Sequence, residues 1–202
     1  MSKLLVSIGL INGCLAMAAP SLALALDGTQ PAKTALLVID VQQFYFAGGG
    51  LPLHNPEAAS VNVAKLISAF RAKGELVIHV GHNAKSGAEF HPDVQPNKGE
   101  KVIFKDEVSA FNGTDLLSYL KKKRVKKLVI VGMQTHMCVE GTTRAAHDLG
   151  FECTVIADAC ATRDLKFREK VVSADDVHNS TLATLDGTYA KVMDTIEFLS
   201  AF

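Results

Sequence analysis

From residue 34 onward, short runs of branched apolar residues alternate with longer segments of helical spacing. TALLVIDV (34–41), ELVIHV (75–80), KVIFK (101–105), KKLVIVG (126–132) and FECTVIAD (151–158) read as strands, and YAKVMDT (189–195) closes the set. Between them, PEAASVNVAKLISAFRAKG (56–74) sets Val61, Ala64, Leu66, Ile67 and Phe70 near a helical period. TDLLSYLKKKRV (114–125) turns Leu116, Leu117 and Leu120 inward, MCVEGTTRAAHDLG (137–150) is a helix closed by glycine, and SADDVHNSTLATLDG (173–187) opens on cap residues. Strands apolar at every position have no face to give to water, so they belong to a parallel sheet covered by helices on both sides. The pattern predicts one three-layer α/β/α domain, with a mostly parallel, doubly wound, Rossmann-like sheet of six strands.

Composition agrees with one domain. The chain has 202 residues, 48% hydrophobic and 21% charged, enough for a sizeable core and too apolar for disorder. Lys+Arg and Asp+Glu both number 21, so no global charge points to nucleic acid. The one basic cluster, KKKRVKK at 121–127, reads as a solvated helix end, where cations complement the dipole. The glycines at 48–50 match no phosphate-binding spacing.

The first residues have a different character. MSK supplies one positive charge, LLVSIGLINGCLAMAAP is apolar and small, and Ala23 and Ala25 occupy the positions of an A-x-A cleavage site. This reads as a secretory signal peptide over 1–25, a short linker over 26–33 and the α/β domain over 34–202, placing the mature protein in the periplasm or outside the cell. No stable membrane association is then expected. An uncleaved anchor and lipidation at Cys14 are the alternatives. Three cysteines remain after cleavage, Cys138, Cys153 and Cys160. An odd count leaves at least one thiol free.

In open parallel sheets, ligands bind beyond the carboxyl ends of the strands. That rule brings Asp40, Lys105 and the turn GMQTHMC (132–138) to one edge. Asp40 in an otherwise apolar strand is costly unless paired, so it is either a strand-end turn residue or functional. Cys138 at a helix start lies where dipole and N–H groups favour a thiolate. Together, a base, a cation and a thiol make an acyl-transfer site.

At these residues the chain resembles a family. DVQ (40–42), VIFKDEVSAF (102–111) and VGMQTHMCVEGTTRAAHDLGF (131–151) resemble the motif blocks of the isochorismatase-like cysteine hydrolases, and ADDVHNSTLATLDGTYAKV (174–192) resembles their C-terminal segment. The resemblance implies Asp40 as general base, Cys138 as nucleophile and Lys105 as electrostatic partner. It also implies a cis peptide between Met133 and Gln134, with the N–H groups of Gln134 and Cys138 forming an oxyanion hole. The implied reaction is hydrolysis of a small amide or related C–N bond through an acyl-enzyme. Homo-oligomers are common in the family.

The chain departs from the family pattern in places. FAGGGLPLHNPE contains His54 but no Asp-x-His metal pair, so no metal or other cofactor is expected. His79 and His82, three apart at a strand end, point to opposite faces. Phe44 stands where many members carry an acid, and Gln134 where many carry a small residue. Phe46, His82, Phe111 and His136 are the candidates for lining the substrate pocket. The competing readings are a metal-dependent nicotinamidase, an isochorismatase-type hydrolase and a non-catalytic binding module. Cys138 favours C–N hydrolysis over vinyl-ether cleavage, which needs no thiol.

Overall fold

The computed structural model describes Met1 and residues 33–202. The expected signal peptide over 1–25, apart from Met1, and the expected linker up to residue 32 lie outside the described residues. Lys33 already belongs to the first strand.

Strand β1 (Lys33–Ile39) leads through a 3-10 turn (Gln43–Tyr45) to helix α1 (Pro56–Ala72) and strand β2 (Leu76–His82). β3 (Lys101–Lys105), α2 (Leu116–Lys122) and β4 (Val125–Met133) follow. A π-helical turn (Thr135–Val139) runs into α3 (Glu140–Asp148), then β5 (Glu152–Ala161). A hairpin, β6 (Leu165–Phe167) and β7 (Lys170–Val172), precedes α4 (Ala174–Leu185), β8 (Lys191–Met193) and α5 (Thr195–Ala201). The six-stranded sheet has the order β3-β2-β1-β4-β5-β8, and all its pairings are parallel.

The central strand explains the apolar runs. Along β1, Leu36 and Val38 pack with α1 and α5 on one face, whereas Ala35, Leu37 and Ile39 pack with α2, α3 and α4 on the other. Period-two alternation puts both sets underground, so no position is left for a polar side chain. Helix α1 buries Ala59, Val63, Leu66, Ile67 and Phe70, a stripe of helical spacing. Val61 is not part of it: two residues before Val63, it lies on the outer side and is 49% exposed. Ser173 caps α4, its hydroxyl accepting from the Asp176 N–H at 3.1 Å. Lys121 to Arg124 are solvated at the end of α2.

Three elements have no counterpart in the sequence reading. The segment 189–195 contributes a strand only at Lys191–Met193, and from Thr195 it becomes α5. The β6–β7 hairpin lies in a stretch where lysines and arginine interrupt the apolar residues, and it leaves Phe167 70% exposed. The pairing of β4 with β5 is also irregular. Two steps along β4, from Ile130 to Gly132, match five along β5, from Val155 to Cys160. The bulge is fastened by Asp158, whose Oδ1 accepts from the Thr195 N–H at 2.8 Å and its hydroxyl at 2.7 Å. Bulges of this kind re-aim the strand beyond them.

One polar network is built into the sheet. Glu100 accepts from Arg71 Nε at 2.8 Å and from the Asn97 N–H at 2.8 Å, and it bonds the wholly buried His79 at 2.9 Å. Burial alone would raise the Glu100 carboxyl, but Arg71, the Asn97 N–H and His79 hold it down to about 2. Its folded-state value therefore lies below the ordinary 4.5, so its stabilising contribution is complete above that pH and is lost as pH falls toward about 2. Glu100→Ala is expected to lower unfolding free energy by about 1–3 kcal/mol at neutral pH, because buried donors lose their acceptor. Urea titrations of both proteins between neutral pH and about pH 3 should show that gap narrowing with acid.

Candidate active site

Asp40 follows the last residue of β1 in a left-handed conformation, φ 51°. Asp tolerates this region better than a branched residue would. Its N–H still donates to the Val80 carbonyl at 2.8 Å, so the residue stays tied to the sheet as the chain turns away. Gln42 makes the next connection. Its side chain accepts from the His82 N–H at 2.7 Å and donates to the His82 carbonyl at 3.0 Å, locking the end of β2.

Gly132 sets the approach of β4. It has φ +121°, and a Cβ built there would lie 1.9 Å from the Ile39 carbonyl oxygen. No side chain fits, so only glycine lets β4 deliver its last residue beside the end of β1. The Met133–Gln134 peptide that follows is cis. The chain then enters the π turn rather than a regular helix, which corrects the expectation of a simple helix start at Met137. The Gln134 carbonyl, which an α-helix would offer to the Cys138 N–H, accepts instead from Met137 at 3.0 Å and Val139 at 3.2 Å. Single π turns of this kind recur at functional sites.

Lys105 closes the arrangement. Its Nζ lies 2.8 Å from Asp40 Oδ2, 3.2 Å from Cys138 Sγ and 3.3 Å from His82 Nδ1. An ammonium has three N–H donors and no acceptor, and here each donor has a partner. His82 therefore accepts at Nδ1. Asp40 is fully buried, Lys105 is 1% exposed and Cys138 5%. Asp40 Oδ1 has no partner among the described residues.

The electrostatics differ from the sequence expectation of a dipole-stabilised thiolate. Burial first, then the Asp40 charge, push the Cys138 thiol up to about 12, with Lys105 pulling the other way. Burial likewise raises the Asp40 carboxyl despite the neighbouring ammonium. At neutral pH the resting thiol is protonated.

The other candidates divide. His82 stands beside Lys105, and His136 bonds Thr162 Oγ1 at 2.6 Å across the π turn. Burial, then the Arg163 charge, lower the His136 imidazole, keeping it neutral. His178 bonds Thr135 Oγ1 at 2.9 Å in the same turn. Phe46 is only 4% exposed and stacks on His91, so it is core rather than pocket wall. Phe111 stacks on Phe151, just before β5 begins and so at the opposite edge of the sheet from Asp40, Lys105 and Cys138. Both rings satisfy packing that a single sequence cannot distinguish from a binding role. His79 lies across the sheet from His82, bonded to Glu100. Among the described residues, no group of three His, Cys, Asp or Glu side chains is placed to hold a metal ion.

Tyr45 and Arg163 escaped the sequence reading. The Tyr45 hydroxyl meets Gln134 Nε2 at 3.3 Å, and burial raises it. Arg163 stands two residues beyond β5, and the strand-end rule, applied to β5 as well, would have singled it out.

The fold and this strand-end cluster define a hydrolase class that the comparisons name. The isochorismatase domain model matches residues 34–197, and the chain belongs to the isochorismatase family. It is 44% identical to the Bacillus subtilis isochorismatase family protein YddQ over 177 residues, 82% of this chain and 98% of that one. A streptothricin hydrolase of Streptomyces noursei is 32% identical over 168 residues, 78% of this chain and 58% of that one. A crystal structure from Oleispira antarctica, ascribed to an isochorismatase hydrolase, superposes with TM-score 0.82 at 42% identity, covering 86% of this chain and 99% of that one.

The charges of Asp40 and Lys105 act on the Cys138 thiol in opposite directions. Asp40→Asn removes the charge that raises the thiol while leaving Lys105, so thiolate formation at Cys138 should move to lower pH than in the wild type. Ultraviolet absorbance against pH, taken as the difference from proteins that also carry Cys138→Ala, measures this; an unchanged or higher midpoint would contradict the assigned electrostatics.

Proposed function

We propose that the protein is a cysteine amidohydrolase that cleaves a small amide or related C–N bond through a thioester acyl-enzyme. The observation that carries this reading is the single buried ammonium held between a carboxylate and a thiol. A binding module has no use for such a costly arrangement.

The chemistry follows from the positions. As Cys138 Sγ attacks the carbonyl carbon, its proton passes to the free Oδ1 of Asp40. The elevated thiol makes this transfer concurrent with attack, since little thiolate exists beforehand. The oxyanion is received by the N–H groups of Gln134 and Cys138, the latter freed from the Gln134 carbonyl by the π turn. Collapse breaks the C–N bond, and the leaving nitrogen takes the proton from Asp40. Water then gives a proton to Asp40 as its oxygen attacks the thioester, and the expelled sulfur recovers that proton. Lys105 remains an ammonium throughout, offsetting negative charge on whichever of Asp40 and Cys138 carries it. The name of the streptothricin hydrolase relative supports hydrolysis as the reaction type.

Export of the chain belongs to the same proposal. It rests on the basic, apolar and small-residue order of the first 25 positions. The mature protein is expected to begin near Leu26 by intact-mass measurement, and a retained Met1 in the exported fraction would overturn it.

Cys138→Ala is expected to reduce kcat/KM for an accepted amide by at least about 10³-fold, with the fold retained. Ammonia release across small primary amides and ureas supplies the assay. Acid quenching followed by intact-mass analysis should show an acyl adduct on Cys138 in the wild type. Full activity in the variant would remove the thiol from the mechanism.

A further inference from the structure

The basic stretch KKKRVKK at 121–127 takes no part in the chemistry just described. Removing its six cations from the chain's 21 Lys and Arg leaves 15 against 21 Asp and Glu. The neutral molecule is therefore strongly polarised, with this stretch at the positive pole. Two helix ends meet there, α2 at Lys122 and α3 at Asp148. Each helix dipole amounts to about half a negative charge, so the pair answers roughly one cation. Glu152 answers another, lying 3.3 Å from Lys127. Lys121 to Arg124, Lys126 and Asp148 form no ion pair among the described residues. Even with Asp148 counted as a third counter-charge, about three of the six positive charges are unanswered.

These cations surround a cavity of about 350 Å³, a volume suited to a small ligand. Lys121, Arg124 and Lys126 line one side, and Leu149, Gly150 and Phe151 the other. Leu149 is 43% exposed and belongs to neither hydrophobic core, so the cavity offers an apolar surface beside its charges. Arg124 follows the end of α2 at φ 59°, a left-handed position where glycine is the usual residue. The site is remote from the reacting groups. Val125 opens β4 and pairs with Lys33 at the start of β1, whereas the turn carrying Cys138 follows the other end of β4. The nine residues of β4 span roughly 26 Å at about 3.3 Å per step.

We infer that this cavity is a binding site for a phosphate monoester with an apolar body. A carboxylate brings one negative charge and leaves most of the excess unanswered. A phosphate monoester brings about −1.5 to −2 and three strong acceptor oxygens near neutral pH. Those oxygens meet Lys121, Arg124 and Lys126, and the apolar part covers Leu149. A soluble phosphorylated molecule and the headgroup of phosphatidate present the same chemistry. In either case the ligand sits at the sheet edge away from Cys138, and the substrate can enter while it is bound.

Titration calorimetry at low ionic strength, with phenyl phosphate, inorganic phosphate and phenylacetate as probes, tests the site. Phenyl phosphate should bind about 10-fold or more tightly than either of the others, since only it supplies both the charge and the ring. Lys121→Gln combined with Lys126→Gln should lower that affinity about 10-fold or more, and Arg124→Gln alone should act in the same direction. Leu149→Ser should bring phenyl phosphate down to the affinity of inorganic phosphate. Near-ultraviolet circular dichroism checks that each variant keeps its fold. No binding of phenyl phosphate, equal binding of phenylacetate, or an affinity untouched by the cation variants would overturn the site. Sedimentation with phosphatidylcholine vesicles, with and without phosphatidate, separates the two sources. Retention that requires phosphatidate and is lost in the cation variants assigns the lipid, whereas phenyl phosphate binding without such retention assigns a soluble ester. Vesicle retention without phenyl phosphate binding is diffuse attraction to a charged surface and overturns the proposal.

Discussion

A buried ammonium governs this structure. Removing Lys105 from solvent costs several kcal/mol unless its charge and all three donors are answered. The answer comes from three places far apart in sequence: Asp40 after β1, His82 at the end of β2 and Cys138 in the turn after β4. None of those groups reaches Lys105 unless the parallel register holds. Ile39 must lie against Gly132 and His82 against Lys105, as the pairings place them. The electrostatics of the site and the registration of the sheet are thus one constraint. A slip of one residue would turn the site residues to the wrong face as well as disturb packing.

The architecture could be read from the sequence because its physics is local. Continuous apolar strands and amphipathic helices admit few arrangements, and the strand-end rule placed Asp40, Lys105 and Cys138 on one edge. What escaped depends on distant neighbours. Whether Phe46 meets a ligand or His91 is decided by a segment some forty residues away. The elevated thiol was misjudged because the helix start is visible in sequence, whereas the burial and the adjacent Asp40 carboxylate that outweigh it are not. Helix α5 and the β6–β7 hairpin are too short for periodicity to show. Arg163 stands at a strand end that the sequence shows, but that its Nε has no hydrogen-bond partner among the described residues is a matter of tertiary contacts.

The π turn and Gly132 meet the same demand from two sides. The glycine lets backbone approach backbone where a side chain would stand in the way. The turn then spends one carbonyl on Met137 and Val139 and withholds it from Cys138. His178 and Thr162 hold the turn through Thr135 and His136. Cys138 is therefore carried on a turn tied to α4 and to the end of β5 by side chains on successive residues.

The bulge in β5 bears on how such a protein can diversify. β5 is paired with β4 on both sides of it, at Ile130–Val155 before and at Gly132–Cys160 and Met133–Ala161 after. Downstream, the strand is re-aimed by residues that Asp158 ties to α5 on the far side of the sheet. The bulge is thus the part of β5 with the most freedom to vary: residues within it answer to Asp158 and α5, whereas from Cys160 onward the strand must again meet Gly132, Met133 and the turn that carries Cys138.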